Sequence, residues 1–304
     1  MTPSRDIPAR AWAELALLAL LWGGSFLSIR VALDEVSVLS SVCHRVGWAA
    51  LVLWAVVLLR GEALPRGWRI WGSFAVMGLL NNVLPFTLMA WGQLTIESGL
   101  TSILNAFTAV AGVIVAALVF ADERLTARRL TGVLLGFAGV VVTVGPALLA
   151  GLSLRSLAQL AVLAGTLSYA FAGAWARARL KGVSPLVASA GMLTGSTLML
   201  LPLTLVLEGG IDLPSTGRGV AAIAYYALAA TAAAYLLYYR VLAMAGAGNL
   251  LLVTLLIPPV AITLGAVVLH EALPPRAYAG FALLAAGLLL LDGRLLRRRA
   301  APPA

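Results

Sequence analysis

The sequence predicts an all-α integral membrane protein, with ten transmembrane helices arranged as two inverted five-helix repeats. Three observations carry that expectation. The 304-residue chain is 62% hydrophobic and 11% charged, with a mean hydropathy of +1.00, a balance foreign to soluble domains. Its apolar residues fall into ten segments, each near the ~20 residues that cross a bilayer. Residues 119–139 also recur, shifted by 148 positions, as residues 267–287.

The ten segments run over about 12–31, 38–59, 70–92, 98–121, 128–148, 157–179, 185–207, 219–241, 249–269 and 276–293. The first follows Arg5 and Arg10. Its apolar run is long for a signal-peptide core and lacks an Ala-x-Ala cleavage site, so it reads as a retained span. Breaks after the second, sixth and seventh segments carry turn chemistry at Arg60-Gly-Glu-Ala-Leu-Pro65, Gly182-Val-Ser-Pro185 and Gly209-Gly-Ile-Asp-Leu-Pro214. The last segment ends in a basic tail, residues 294–304. The single cysteine, Cys43, excludes a disulfide framework and a cysteine-based metal centre.

The net charge of +9 sits at the ends of apolar segments rather than in a basic patch interleaved with aromatics. It therefore points to lipid headgroups and membrane orientation, not to nucleic acid. With the N-terminus inside, the inner segments hold 16 of the 21 Lys and Arg residues and the outer segments 5. This positive-inside bias places both termini in the cytoplasm.

The repeat gives the halves their relation. Eight of its 21 positions are identical, among them Glu123/Glu271, Arg128/Arg276, Gly132/Gly280 and Gly139/Gly287. Five spans per half is an odd number, so the halves insert in opposite orientations, as in transporters that work by alternating access. The first repeat is expected over 11–148 and the second over 155–293. The two Glu turns then face opposite sides of the membrane. This favours a capping role, each Glu accepting from N–H groups exposed at the start of the next helix, over a shared active site. The glycines, with Gly132-x-x-x-Gly136 among them, allow close helix packing within or between chains.

Several of these stretches are similar to a known family. Tyr235-Leu-Leu-Tyr-Tyr-Arg240, Gly246-Ala-Gly-Asn249, Pro258-Pro259, His270-Glu271-Ala-Leu and Gly280…Gly287 resemble the second repeat of the EamA-type family in the drug/metabolite transporter superfamily. Trp22-Gly-Gly-Ser-Phe26 and Glu123-Arg-Leu-Thr…Gly132…Gly139 resemble the first. The chain is also similar to YddG-type amino-acid exporters of bacterial inner membranes. The resemblance implies ten helices around a central cavity with the fifth and tenth peripheral, and export of small metabolites, amino acids including aromatic ones. Val110 and Ala111 stand where the second half has Pro258 and Pro259, so a proline break belongs to the ninth span alone.

Polar and aromatic groups inside spans supply the candidate site. Asn81, Asn82, Asn105 and Gln93 are amides in apolar segments. Each must face another helix or a wet cavity, because a bare amide in hydrocarbon is costly. An amide can meet both the ammonium and the carboxylate of an amino acid; interhelical glue is the competing role. Trp22, Phe86, Trp91, Tyr169, Tyr235 and Tyr239 could form an apolar wall for a substrate side chain, or pack the core. The substrate-binding set is thus Trp22, Asn82, Phe86, Trp91, Gln93, Asn105, Tyr169, Tyr235 and Tyr239. Pro258 and Pro259, which leave the carbonyls of Thr254 and Leu255 without helical donors, form the hinge or a static kink. Arg30 and Arg45, near the outer ends of the first two spans, can snorkel outward; attracting a substrate carboxylate is the other role open to them.

The function expected is a secondary transporter or facilitator for amino acids or similar metabolites in a bacterial inner membrane. It has no catalytic residues, needs no cofactor or metal and binds no nucleic acid; its oligomeric state is left open, a monomer included. No P-loop, H-E-x-x-H or G-x-S-x-G motif is present, which argues against a primary pump or an intramembrane enzyme. The spans carry no evident Asp/Glu relay, which weakens strict proton coupling. A carrier of other metabolites or drugs, or a membrane scaffold or sensor on the same fold, is the alternative.

Overall fold

The computed structural model describes residues 9–122, 126–145, 153–250 and 253–292. Eight of its helices are long and apolar enough to cross a membrane: α1 (Ala9–Ala32), α2 (Val38–Leu59), α3 (Trp68–Gln93), α4 (Ser98–Val119), α5 (Ala127–Val144), α6 (Leu154–Arg179), α7 (Pro185–Leu207) and α8 (Gly217–Ala245). Two shorter apolar helices, α9 (Val253–Val268) and α10 (Pro275–Leu291), complete the ten. Lipid offers the backbone no hydrogen-bond partners, so spans of this composition satisfy their amides within helices. Each turn read from the sequence places a glycine at positive φ: Gly61, Gly182 and Gly209. A side chain would strain the backbone there. Glu123 and the basic tail lie outside the described residues.

Because each half crosses five times, the halves enter from opposite ends. The near end is taken as the one where α1 begins, the far end as its opposite. The main packing joins one half to the other: α1 with α8 and α9, mirrored by α6 with α3 and α4, then α2 with α7 and α8, α3 with α7, and α5 with α10. The last pair is the tightest. A methyl group on Gly280 would lie 2.0 Å from Thr143 Oγ1 and 2.6 Å from the Gly139 carbonyl, and one on Gly287 would lie 2.7 Å from the Gly132 carbonyl. The repeated glycines thus pack the two halves within one chain, through small residues that let backbones touch.

Two spans carry π-helical segments, Leu79–Val83 in α3 and Tyr225–Ala233 in α8. Shifting the first by the repeat distance, 79 + 148 = 227 and 83 + 148 = 231, lands it inside the second. The distortion is therefore built at the same place in both halves. A π-segment leaves carbonyls off the regular ladder, and here the opposite half uses them. Trp22 Nε1 on α1 donates to the Ala230 carbonyl at 3.1 Å, and Ser168 Oγ on α6 donates to the Leu80 carbonyl at 2.7 Å.

The expected break at Pro258-Pro259 is not where the chain is interrupted. α9 runs as one α-helix through both prolines. Proline removes one donor but its fixed φ is helical, so the helix continues without those bonds. The interruption lies in α4, between Ser98–Asn105 and Thr108–Val119. There Phe107 N–H bonds the Leu104 carbonyl at 3.1 Å and Ala109 N–H the Ala106 carbonyl at 3.4 Å, a tightening to three-residue spacing.

Candidate functional site: a cavity closed at the far end

A cavity of about 1020 Å³ lies between the halves. Eight helices line it; α5 adds only Arg129 and α10 adds nothing, so the fifth and tenth helices are peripheral. Lining residues reach the near end at Phe120, Arg177, Leu180, Val183, Pro185, Leu250 and Val253, so among the described residues the cavity extends to that end. Among the described residues, none that lines the cavity belongs to the far-end loops.

Carboxylates that cross between halves close the far end. Glu208, at the end of α7, accepts from Leu39 N–H and Ser40 N–H at 2.9 Å each, from Ser40 Oγ at 3.0 Å, and from the Ser37 hydroxyl. Ser37 itself makes no capping bond to α2, so the opposite half satisfies the exposed donors of that helix. Glu271 does the same for α4, accepting from Ser98 N–H (2.9 Å), Ser98 Oγ (2.7 Å) and Gly99 N–H (3.3 Å). This corrects the expectation that Glu271 caps the helix following it. Glu35 accepts from Ser215 N–H (2.9 Å), Thr216 N–H (3.0 Å) and the Thr216 hydroxyl at the start of α8. A carboxylate at a helix N-terminus gains both charge-assisted hydrogen bonds and the dipole. The hydroxyl and N–H of Thr216 hold the Glu35 carboxyl below its ordinary range, and Ser37 does the same for Asp212. Arg155 and Glu97 add a cross-half ion pair of 2.7 Å.

The cavity wall is aromatic and polar. Of the substrate-binding set, Trp22, Phe86, Asn105, Tyr169, Tyr235 and Tyr239 line it. Trp22 tilts against Tyr238 at 5.9 Å between ring centroids, Phe86 meets Tyr169 edge-on at 6.5 Å, and Tyr239 shares a 2.7 Å hydrogen bond with Ser189. Asn81 Nδ2 donates to the Tyr235 hydroxyl at 3.2 Å. Asn105 Oδ1 and Thr108 Oγ1, flanking the interruption in α4, have no hydrogen-bond partner among the described residues. Pro258 and Pro259 do not line the cavity, although Thr254 and Ile257 beside them do.

Three residues of the set lie elsewhere. Asn82, fully buried, donates to Ser196 Oγ on α7 at 2.9 Å and so joins helices. Trp91 is 36% exposed on the outer surface of the bundle. Gln93 is 1% exposed at the end of α3, away from the cavity, with neither amide atom hydrogen-bonded among the described residues.

Arg45 does not snorkel outward. It is 9% exposed and lines the cavity, with Nε donating to Thr231 Oγ1 at 3.0 Å and the guanidinium 3.8 Å from the Phe86 ring centroid. One signal could have found it: a position about 10 Å into the helix from Val38 is too deep for a terminal residue. Thr231 had no such signal.

Comparisons with known proteins agree with this architecture. Over 291 residues, 95% of each chain, the protein is 29% identical to a probable terminal-alkyne amino-acid exporter of Streptantibioticus cattleyicolor. It is 26% identical over 286 residues, 93% of this chain and 98% of the other, to an uncharacterized transporter of Archaeoglobus fulgidus. A crystal structure of a protein 20% identical in sequence matches with a TM-score of 0.66 over 97% of this chain and 99% of that one, a likeness of fold. The EamA-like transporter family matches twice, over residues 11–145 and 156–291. The chain is accordingly a multi-pass membrane protein of the EamA-like transporter family, a transporter and not an enzyme.

Proposed function

We propose that this protein exports amino acids, neutral and aromatic ones among them, across a bacterial inner membrane by alternating access. The observation that carries the reading is the one-ended cavity between inverted halves, latched at the far end by Glu35, Glu208 and Glu271 and open at the near end. The positive-inside count supports a cytoplasmic near end. The cavity then loads from the cell. Its rings accept an apolar side chain, and its amides and hydroxyls meet the polar groups of the amino acid. Release follows when the cross-half latches part and the near end closes.

The charges on the wall favour this substrate class over cationic drugs. Among the described residues, the charged groups lining the cavity are Arg45, Arg129 and Arg177, and no Asp or Glu joins them. That absence of a titrating acid in the path also favours facilitated diffusion over proton coupling. The relative from Streptantibioticus cattleyicolor, named a probable amino-acid exporter, supports the same class.

The test is flux of radiolabelled amino acids through proteoliposomes of the purified chain, with and without a pH gradient. Saturable flux indifferent to the gradient is expected. Flux no greater than in protein-free liposomes for every amino acid tried would overturn the reading.

A further inference from the structure

Arg45 places a cation deep in the wall of a cavity otherwise made of rings, hydroxyls and amides. Its one hydrogen bond, to Thr231, uses Nε. The Phe86 face covers the guanidinium plane, and the ionisable groups in its field are the phenols of Tyr169, Tyr226 and Tyr235. Among the described residues no carboxylate pairs with it, and Thr231 is the hydrogen-bond partner the structure gives it, through Nε. A guanidinium only 9% exposed is costly unless cavity water or an anion compensates it. Its planar fork is built to take a carboxylate by two parallel hydrogen bonds.

We propose that Arg45 is the anchor for the carboxylate of the transported molecule, so that the cavity selects substrates carrying that group. The Thr231 bond and the Phe86 ring fix the fork, leaving the Nη edge for the ligand. Thr231 is itself held by a 2.7 Å bond to the Tyr226 carbonyl within the π-segment of α8. The anchor on α2 of the first half is thereby aimed by the distorted span of the second. This deepens the transport reading and rests on the cavity being the substrate path.

The experiment is ligand binding to the full chain in detergent, read by calorimetry or thermal shift. The probes are L-phenylalanine and L-leucine, each beside its primary amide, with 3-phenylpropanoate as a carboxylate lacking the amine. The wild type should bind the acids about tenfold or more tightly than the amides, the order of a lost charge-assisted pair. That ratio should fall to about one in Arg45→Gln and be partly kept in Arg45→Lys. If 3-phenylpropanoate binds in an Arg45-dependent way and the amino acids do not, the anchor stands and the amino-acid reading falls. Equal binding of acid and amide by the wild type overturns the anchor whether or not the variants fold. Absence of binding by any carboxylate, or a chloride response equal to that of the acids and lost in Arg45→Gln, overturns it as well.

Discussion

The indole Nε1 of Trp22 donates a 3.1 Å hydrogen bond to the carbonyl of Ala230, tying the first helix of one half to the π-segment of the other. Ser168 and Leu80 make the reciprocal tie at 2.7 Å. Trp22→Phe keeps a ring in the cavity wall and removes the donor. The expected cost is about 1 kcal/mol of stability, with a loss of transport exceeding that of Trp91→Phe, whose ring lies outside the cavity. Melting temperature and initial flux of the two variants, compared side by side, check this.

Glu208 offers the most direct handle on the far-end latch, because one carboxylate serves four donors at the start of α2 and its N-cap Ser37. Glu208→Gln removes the charge while keeping the shape. A cysteine at Ser41, introduced with Cys43→Ser, sits behind the latch and is 2% exposed as serine. Its labelling by an impermeant thiol reagent from outside should rise about tenfold in Glu208→Gln, as expected for a weakened charge-assisted contact. An unchanged rate would mean that Glu208 does not hold the far end shut.

The pH response of the latch follows from Glu35 and Asp212. Both carboxyls are held below their ordinary range, by Thr216 and Ser37 respectively. A group with a depressed folded-state pKa contributes stability above its unfolded pKa and loses it as pH falls through the folded value. Melting temperature should therefore be flat between about pH 5.5 and 8 and decline below about pH 4, the ordinary carboxylate range. Glu35→Gln should shallow that acid decline.

Packing of α5 on α10 depends on Gly280. Its absent side chain leaves room for Thr143 Oγ1 and the Gly139 carbonyl. Gly280→Val must push the helices apart, at a cost of about 1–3 kcal/mol or more for an overpacked contact. Thermal unfolding in detergent measures it. Gly173→Val, where an added Cβ meets nothing within 4 Å, should change stability far less.

The spans and their inverted pairing were legible because long apolar runs, glycine turns and a 148-residue repeat are local patterns, and the bilayer turns them directly into crossings. Six of the nine substrate-set residues fell on the cavity, whereas Asn82 turned to α7 and Trp91 and Gln93 lay outside. Which face of α3 looks inward depends on the π-segment at Leu79–Val83, and a single inserted residue there re-aims every side chain beyond it. Glu271 was legible as a cap, but its helix was not, because the donors at Ser98 and Gly99 reach it only through the packing of one half on the other. Arg45 carried a readable signal in its depth, but from sequence alone a role toward a carboxylate stood beside the general habit of arginines to snorkel.

A substrate path open to the cytoplasm must be reachable from the inner face and blocked by its cargo. Gly112 lines it, and an added Cβ there meets nothing within 4 Å. A Gly112→Cys, Cys43→Ser chain should be labelled by an impermeant thiol reagent in inside-out membrane vesicles, and labelled slowly in right-side-out ones. Saturating L-phenylalanine or L-leucine should protect it. Faster labelling from the outer face, or labelling from the inner face that no amino acid slows, would contradict the account.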